Sequence, residues 1–412
     1  MSFYLVPSTF ALKYAITKPM NASQSLPASL KNTSKRIFLS NHVGCELTSH
    51  EGLEVKAYLR QNGHQLVNDH TDAEYLIVNT CAFIHSQRKR LRERLRMLEE
   101  GAPSAKLIVM GCAKEIAPDI FENSKPMMML GHDDLHRLDK IFAEEKPFAQ
   151  SARPHWNPDF QRVVISLGRG CAQFCSFCSI KKSIGNMKSR PIMDIVEDIK
   201  LCLSEGHDRF LLSGDDVGCY GVDCGKSLND LLQAVSSLEG KMNILLGNVH
   251  PLFFMKNYAG IRDFLKSPNS SKWFFLSVQS ANNKVLFDMK RNHGIEEVRL
   301  GLARLQEDVP GLKLNYDIIV GFPTESENAF NATLKFLKEY PPHAITISPY
   351  SHESGTSATE YAELPKELVQ ERLSWAHAIY GSALRKEGRK AETWGDEADM
   401  LNLKSATLKI LP

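Results

Sequence analysis

The chain has 412 residues, 43% hydrophobic and 24% charged, with 50 basic against 48 acidic side chains and a net charge of +2. That is apolar mass for two or three domains of ~100 to 200 residues, and it excludes a mini-protein, a disordered tail and any global pull toward phosphate backbones or anionic membranes. No run approaches the ~18 apolar residues of a spanning helix and the opening residues lack the layout of a secretory signal, so no membrane partner is expected and the expected location is the cytoplasm.

Residues 1–35 contain no Asp or Glu, are rich in Ser, Thr and Ala, and read as an extension. Such a composition also suits a transit peptide into an organelle matrix, but the first Arg is Arg36 and such peptides are usually Arg-rich. From Arg36 to about 147, short β-rich runs alternate with helical patterns: RIFLS and a helix through Leu53 to Leu59, AEYLIVNT and a helix from about Ile84, KLIVMG and a helix from Ala113, MMML and a helix ending near Phe142. This rhythm predicts an open parallel sheet covered by helices. Residues 148–162, with Pro154, Trp156 and Pro158, break it and read as a linker.

A second alternation fills 163–390. Its strands are RVVISLG, RFLLSG, NILLGNV, KWFFLSVQS, KLNYDIIVGFP and AITISPY, each followed by a helical pattern, the last from about Pro365 to Lys390. Six strands with six helical returns predict a partial (β/α)6 TIM-type barrel with its chemistry at the carboxyl ends of the strands. The fold class is therefore α/β, and residues 391–412 are too few for another domain.

Nine cysteines in a long chain without a secretion signal argue for metal or redox chemistry rather than a disulfide scaffold. Cys171, Cys175 and Cys178 form C-x3-C-x2-C directly after the first barrel strand. Three thiolates in one loop can hold three irons of a [4Fe-4S] cluster and leave the fourth open. An open iron can be chelated by S-adenosylmethionine (SAM), whose reductive cleavage yields an adenosyl radical able to take hydrogen from an unactivated C–H bond. A structural zinc site lacking a visible His ligand, or incidental thiols, is the bland alternative. Cys45, Cys81 and Cys112 each fall just past a strand of the first region, so in a parallel sheet they share one edge and can hold a second cluster. Read singly, each is equally a buried core thiol. Cys202 reads as core, while Cys219 and Cys224 sit in the loop after the second barrel strand and read as incidental.

From roughly Lys35 to Tyr380 the pattern resembles the radical-SAM methylthiotransferases. Gly44-Cys45, Asn79 through Ile84 and Gly111 through Ala113 stand where that family has its auxiliary-cluster motifs. Ser189-Arg190-Pro191, Tyr220-Gly221, Val278-Gln279-Ser280, Met289-Lys290-Arg291, Asp317 through Pro323, Tyr350-Ser351 and Gly355-Thr356 follow in the family's order. The resemblance implies two [4Fe-4S] clusters and two uses of SAM: one SAM methylates a sulfur carried on the auxiliary cluster, and the other supplies the radical that opens the substrate carbon to that sulfur. It implies an electron donor such as flavodoxin or ferredoxin, and a sulfur donor. Carried over by position, Phe177 would lie near the adenine, Ser213, Asp215, Asp216, Gln279 and Asp317 would line the SAM pocket, Tyr350 would stack or close it, and Arg190 would bind a carboxylate or cap the following helix.

Three departures shape the expectation of substrate. The C-terminal TRAM barrel usual in the family has no counterpart in the last residues, Thr324-Glu325-Ser326 and Ala281 replace the usual loop residues near the cavity mouth, and Thr48 stands where Asn is common. With the stretch Asn79 through Ile84 closer to the branch that modifies a ribosomal-protein Asp, a peptide or protein side chain is favoured, with tRNA adenosine or a small metabolite as alternatives. Gln279-Ser280 leans toward the tRNA branch. The helix segment Arg88 to Arg96 carries six positive charges and one negative, read as a solvated face or a local phosphate or acidic-peptide contact. The non-enzyme alternative is a decayed iron-sulfur homologue.

Overall fold

A computed structural model describes residues 34–42, 45–83, 85–151, 154–157, 161–378 and 390–393. The extension up to residue 33, Gly44, Ile84, Pro158, Tyr380 and the tail from 394 lie outside the described residues.

The first sheet is built from β1 (Arg36–His42), β2 (Gln65–Leu66), β3 (Tyr75–Thr80), β4 (Lys106–Gly111) and β5 (Met128–Leu130), all parallel, in the order β2-β1-β3-β4-β5. Every residue of β3 is buried, as a central parallel strand covered on both faces requires. Alternate side chains serve the two faces. Ile77, Ile108 and Met110 pack with Val55, Tyr58 and Leu59 of the helix Glu46–Gln61. Leu76, Val78, Leu107 and Val109 pack with Leu91, Leu95 and Leu98 of the helix His85–Gly101.

The linker contributes a short edge strand, β6 (Trp156–Asn157), antiparallel to β7 (Arg162–Ser166). Its Asn157 is buried and donates to Ser49 Oγ at 3.0 Å, tying the second region to the first helix. After β7 a two-residue hairpin, β8 (Gly168–Arg169) with β9 (Lys188–Ser189), frames the C-x3-C-x2-C loop. The remaining strands are β10 (Arg209–Ser213), β11 (Asn243–Leu246), β12 (Trp273–Gln279), β13 (Lys313–Val320) and β14 (Ala344–Pro349). β7, β10 and β11 pair in parallel, as do β12, β13 and β14, and bridges Ile244–Ser270 and Val249–Leu276 join the two halves. One continuous apolar core runs through these strands and the helices outside them. A short β15 (Lys390–Thr393) adds parallel to β14. Lys390, expected to end a helix, thus begins a strand; the described α-helix spans Lys366–Ala376.

That helix is pinned by charge. Glu325, in the loop expected at the cavity mouth, is buried, accepts the Gly321 N–H at 2.8 Å and pairs with Arg372 at 2.9 Å. Glu325 therefore locks a turn. Removing one partner of a buried pair strands the other charge, at roughly 3 to 5 kcal/mol. Arg372→Ala is expected to lower stability by about that amount, read from denaturant unfolding; an unchanged midpoint would refute the lock.

Candidate functional site

The first thiol trio sits along one edge of the first sheet. Cys45 precedes the helix Glu46–Gln61 and its Sγ donates to Thr48 Oγ1 at 3.1 Å. Cys81 follows β3, and Cys112 follows β4, where its N–H bonds the Thr80 carbonyl at 3.2 Å. Gly111 makes that approach feasible: its φ is +97°, and a Cβ there would lie 2.5 Å from the Thr80 carbonyl oxygen. Burial pushes the Cys45 thiol up to about 11, with Cys81 adding to the rise while Thr48 and Arg169 oppose it. Burial also pushes Cys112 up, helped by the charges of Cys45 and Cys81. The three thiols therefore feel one another electrostatically, and a cationic core among them would relieve the cost of their thiolate forms.

The second trio occupies the loop behind β8. Gly170, at φ +97°, has Asn186 O 2.0 Å from where a Cβ would lie, so only glycine fits at the loop's entry. Cys178 N–H bonds the Cys175 carbonyl at 3.1 Å, and Gln173 N–H points at Cys171 Sγ at 3.3 Å. Burial raises Cys178 to about 11, with Cys175 and Cys171 adding to the rise. Cys219, which the sequence offers as incidental, is buried; its single S–H has two acceptors in reach, the Asp216 carbonyl at 3.1 Å and Cys171, whose pKa a bond from it lowers. Ligand atoms of Cys171, Asp216 and Cys219 lie within 4.8 Å of one another. Cys202 is core, and Cys224 is exposed.

A buried ionic network joins the two trios. His132, just past β5, places Nε2 at 3.3 Å from Cys112 Sγ and Nδ1 at 2.9 Å from Glu51. Arg169 of β8 also binds Glu51, through Nε at 3.1 Å and through a shorter contact from its terminal nitrogen, and reaches Asp215 at 3.4 Å. Asp215 in turn accepts the Gly170 N–H at 2.8 Å. Burial alone would raise Glu51, but Arg169 and His132 outweigh it and hold its pKa at about 2. The loops also touch directly: Ser179 Oγ donates to the Phe83 carbonyl at 3.1 Å.

The other expected residues fall into two groups. At the carboxyl end of the barrel, Asp216 is buried with Oδ1 accepting the N–H groups of Gly218 and His250 at 3.0 and 3.1 Å and Oδ2 unpartnered; burial lifts its pKa to about 6. Asp317 accepts from Ser277 Oγ at 2.8 Å and burial raises its pKa. Gln279 lies at the β12 irregularity with φ +66°, and the Tyr350 hydroxyl is buried without a partner. Phe177 packs with Tyr350 against Met289 and Phe322. By contrast, Ser213 sits in register with Ser166 within the sheet, and the Arg190 guanidinium is spent on the Ser166 carbonyl at 2.8 Å and Asp198 at 2.6 Å. Asp198 lies on the helix that follows, Ile192–Ser204. Along the basic helix, Arg88 bonds Ala82 O and Glu353, Arg92 bonds Asp119, Arg94 bonds Ser40 and Arg96 bonds Glu100, leaving Lys89 and Arg90 exposed. Its charge is largely used within the chain.

Two family descriptions match: the uncharacterized protein family UPF0004 over residues 37–131 and the radical SAM superfamily over residues 165–337. Full-length relatives decide the rest. A probable threonylcarbamoyladenosine tRNA methylthiotransferase of Pyrococcus horikoshii is 29% identical over 361 residues, 84% of this chain and 83% of that protein. A tRNA-2-methylthio-N(6)-dimethylallyladenosine synthase of Thermodesulfovibrio yellowstonii is 28% identical over 85% of this chain and 84% of that one. The chain carries the radical SAM domain and is similar over most of its length to methylthiotransferases. Among solved structures, the radical SAM methyltransferase TsrM of Kitasatospora setae, with cobalamin and a [4Fe-4S] cluster bound, superposes with a TM-score of 0.55 at 12% identity, covering 77% of this chain and 75% of that one, which speaks for the fold alone.

Radical-SAM methylthiotransferases use [4Fe-4S] clusters and SAM. The residues fit: each trio is all-thiol, buried or half-buried, and electrostatically coupled, and a carboxylate oxygen of Asp216 lies within 4.8 Å of Cys171. Glu51, His132 and Arg169 stand in no motif of the sequence, and Cys219, read there as incidental, lies beside Cys171. The usable signals were His132 standing just past β5, as Cys112 does past β4, and Arg169 standing two residues before Cys171. Anaerobically reconstituted protein is expected to hold about eight irons, falling to about four when Cys45, Cys81 and Cys112 become Ala, by iron analysis; an unchanged count would remove the first trio from the cluster assignment.

Proposed function

We propose that this radical-SAM methylthiotransferase acts on tRNA, replacing a C–H hydrogen of an N6-modified adenosine by a methylthio group. The observation that supports this reading is agreement among relatives: proteins similar over 82 to 85% of the chain are named as tRNA methylthiotransferases or as a methylthio-adenosine synthase of tRNA. Mouse threonylcarbamoyladenosine tRNA methylthiotransferase, 26% identical over 360 residues, is among them, with this chain covering 61% of it. The expected preference for a peptide side chain finds no support among these relatives, and the alternative of a tRNA adenosine takes its place.

In this reading Cys171, Cys175 and Cys178 hold the cluster that faces SAM, and Cys45, Cys81 and Cys112 hold the auxiliary cluster. When bound, the clusters and SAM supply the adenosyl radical and the sulfur chemistry. The protein's share is positioning. Arg169 and Glu51 fix the distance between the trios, Thr48 and His132 orient Cys45 and Cys112, and Asp216, Gln279, Asp317 and Tyr350 line the barrel end around SAM. A low-potential electron donor of the flavodoxin or ferredoxin kind, and a sulfur donor, complete the system. No described helix is long and apolar enough to cross a membrane; we assign the enzyme to the cytoplasm.

Mass spectrometry of tRNA nucleosides from cells with and without the gene tests the substrate. An N6-modified adenosine carrying SCH3 in place of H is expected to vanish in the deletion. Loss of the same mass from peptides, with nucleosides unchanged, would return the protein side chain as the substrate. With dithionite and SAM the reconstituted protein is expected to release 5′-deoxyadenosine, and a complete lack of it would mark a decayed homologue.

A further inference from the structure

Two phenylalanines at and beside the cluster loop face solvent. Phe174, between Cys171 and Cys175, is 65% exposed, and Phe287, near the end of the helix Asn283–Asp288, is 78% exposed. Ser176 joins their segments: its N–H bonds the Met289 carbonyl at 2.9 Å, its Oγ donates to the Asp288 carbonyl at 2.7 Å, and its own carbonyl accepts the Ala358 N–H at 2.8 Å. Three lysines reach the same segments. Lys181 holds its Nζ 4.4 Å from the centre of the Phe174 ring and bonds the Cys171 carbonyl and Asn186 Oδ1. Lys182 donates to the Ser354 carbonyl at 3.0 Å, and Lys290 to Ser357 Oγ at 2.8 Å. Among the described residues these ammonium groups bond neutral oxygens and none pairs with a carboxylate, so their charge is not spent within the chain.

We propose that Phe174 and Phe287, with Lys181, Lys182 and Lys290, form an RNA-binding surface that holds the unpaired nucleotides flanking the target adenosine. The inference rests on the tRNA reading above and names where the RNA is gripped. An exposed ring gives any base a face to stack on, and a lysine without a carboxylate partner gives its charge to a phosphate. A base that is to be modified must leave its stack, so its neighbours need a platform of this kind. The basic helix His85–Gly101 lacks that combination: most of its arginines are bonded within the chain, and its sequence holds no Phe, Tyr or Trp. Phe174 is the residue before Cys175, so a strand seated on its ring passes beside the cluster loop. An acidic electron donor would be drawn by the same lysines. Protein interfaces are depleted in lysine, however, whereas nucleic-acid interfaces are strongly cationic, and three lysines around two bare rings favour RNA.

Full-length reconstituted protein is titrated by fluorescence anisotropy, over a range of salt, with a synthetic RNA stem-loop whose unpaired loop carries threonylcarbamoyladenosine, the nucleoside named for several relatives. Phe174→Ala and Phe287→Ala are each expected to weaken binding by about fivefold to a hundredfold, and Phe174→Tyr, which keeps a stacking face, to bind within about twofold of the unaltered protein. Lys182→Gln combined with Lys290→Gly is expected to lower the slope of log affinity against log salt by about 1.4, at ~0.7 for each lost phosphate contact. Glycine is the choice at position 290 because Lys290 has φ +54°, a conformation that glycine adopts without strain. Phe287→Ala and Lys290→Gly lie outside the cluster loop, so their readings stand even where Phe174→Ala fails to load iron. Unchanged RNA affinity and salt slope in these variants overturn the surface. Normal RNA binding by the variants, joined to 5′-deoxyadenosine release that slows with reduced flavodoxin but not with dithionite, gives the face to the electron donor and overturns RNA as its occupant. No RNA binding by the unaltered protein overturns the tRNA reading and this surface with it, a result distinct from equal binding by the unaltered protein and its variants.

Discussion

Glu51 carries the constraint on which the rest depends. A carboxylate with almost no solvent stays ionised only where cations and donors replace its water, and here they come from two directions: His132 from the end of the first sheet and Arg169 from the barrel's hairpin. Neither partner is idle. His132 touches Cys112, and Arg169 stands two residues before Cys171 and holds Asp215, which holds Gly170. One buried charge therefore links Cys112 of the first trio to Gly170, next to Cys171 of the second, through a few hydrogen bonds. A reaction that moves a sulfur species from one centre to a carbon activated at the other needs that fixed separation.

The sheet and barrel were legible in the sequence because parallel strands advertise themselves. Runs such as YLIVNT and KLIVMG are apolar on both faces, and turn residues bound each one. The first thiol trio was legible for a related reason: adjacent parallel strands end at one edge, so residues just past β1, β3 and β4 are neighbours, whereas the second was legible from its spacing within one loop. Glu51 was not. It lies mid-helix, where an acid ordinarily faces water, and its cation is 118 residues away. Arg190 shows the converse: the resemblance offered it as a carboxylate ligand and its place beside Pro191 as a cap for the following helix, and it is Asp198 on that helix that takes its guanidinium. Pairings between distant loops leave no periodicity to read.

The barrel end departs from the rules that hold in the core. Asp216 Oδ2, His250 Nε2, Arg291 Nε and the Tyr350 hydroxyl are all buried and unpartnered, and Gln279 adopts a left-handed conformation that a non-glycine residue rarely takes. Local consistency fails most where a protein is built around something else. Burial lifts Asp216 while the neighbouring Arg291 opposes it, and His250 and His293 are kept neutral by burial and by the same arginine. The site is preorganised at the expense of its own stability.

The same logic explains why a motif that looked like substrate information was not. The stretch from Asn79 to Ile84 suggested a peptide substrate, yet polar contacts of Asn79, Thr80 and Phe83 face inward. The Asn79 amide donates to the Thr48 carbonyl at 2.7 Å, Thr80 Oγ1 donates to the Met110 carbonyl at 2.8 Å, and Phe83 accepts from Ser179 of the barrel loop. These residues cradle Cys81 and dock one loop on the other. Such a stretch varies with the packing of the auxiliary site, and packing is indifferent to whether the carbon being modified belongs to a nucleoside or a peptide.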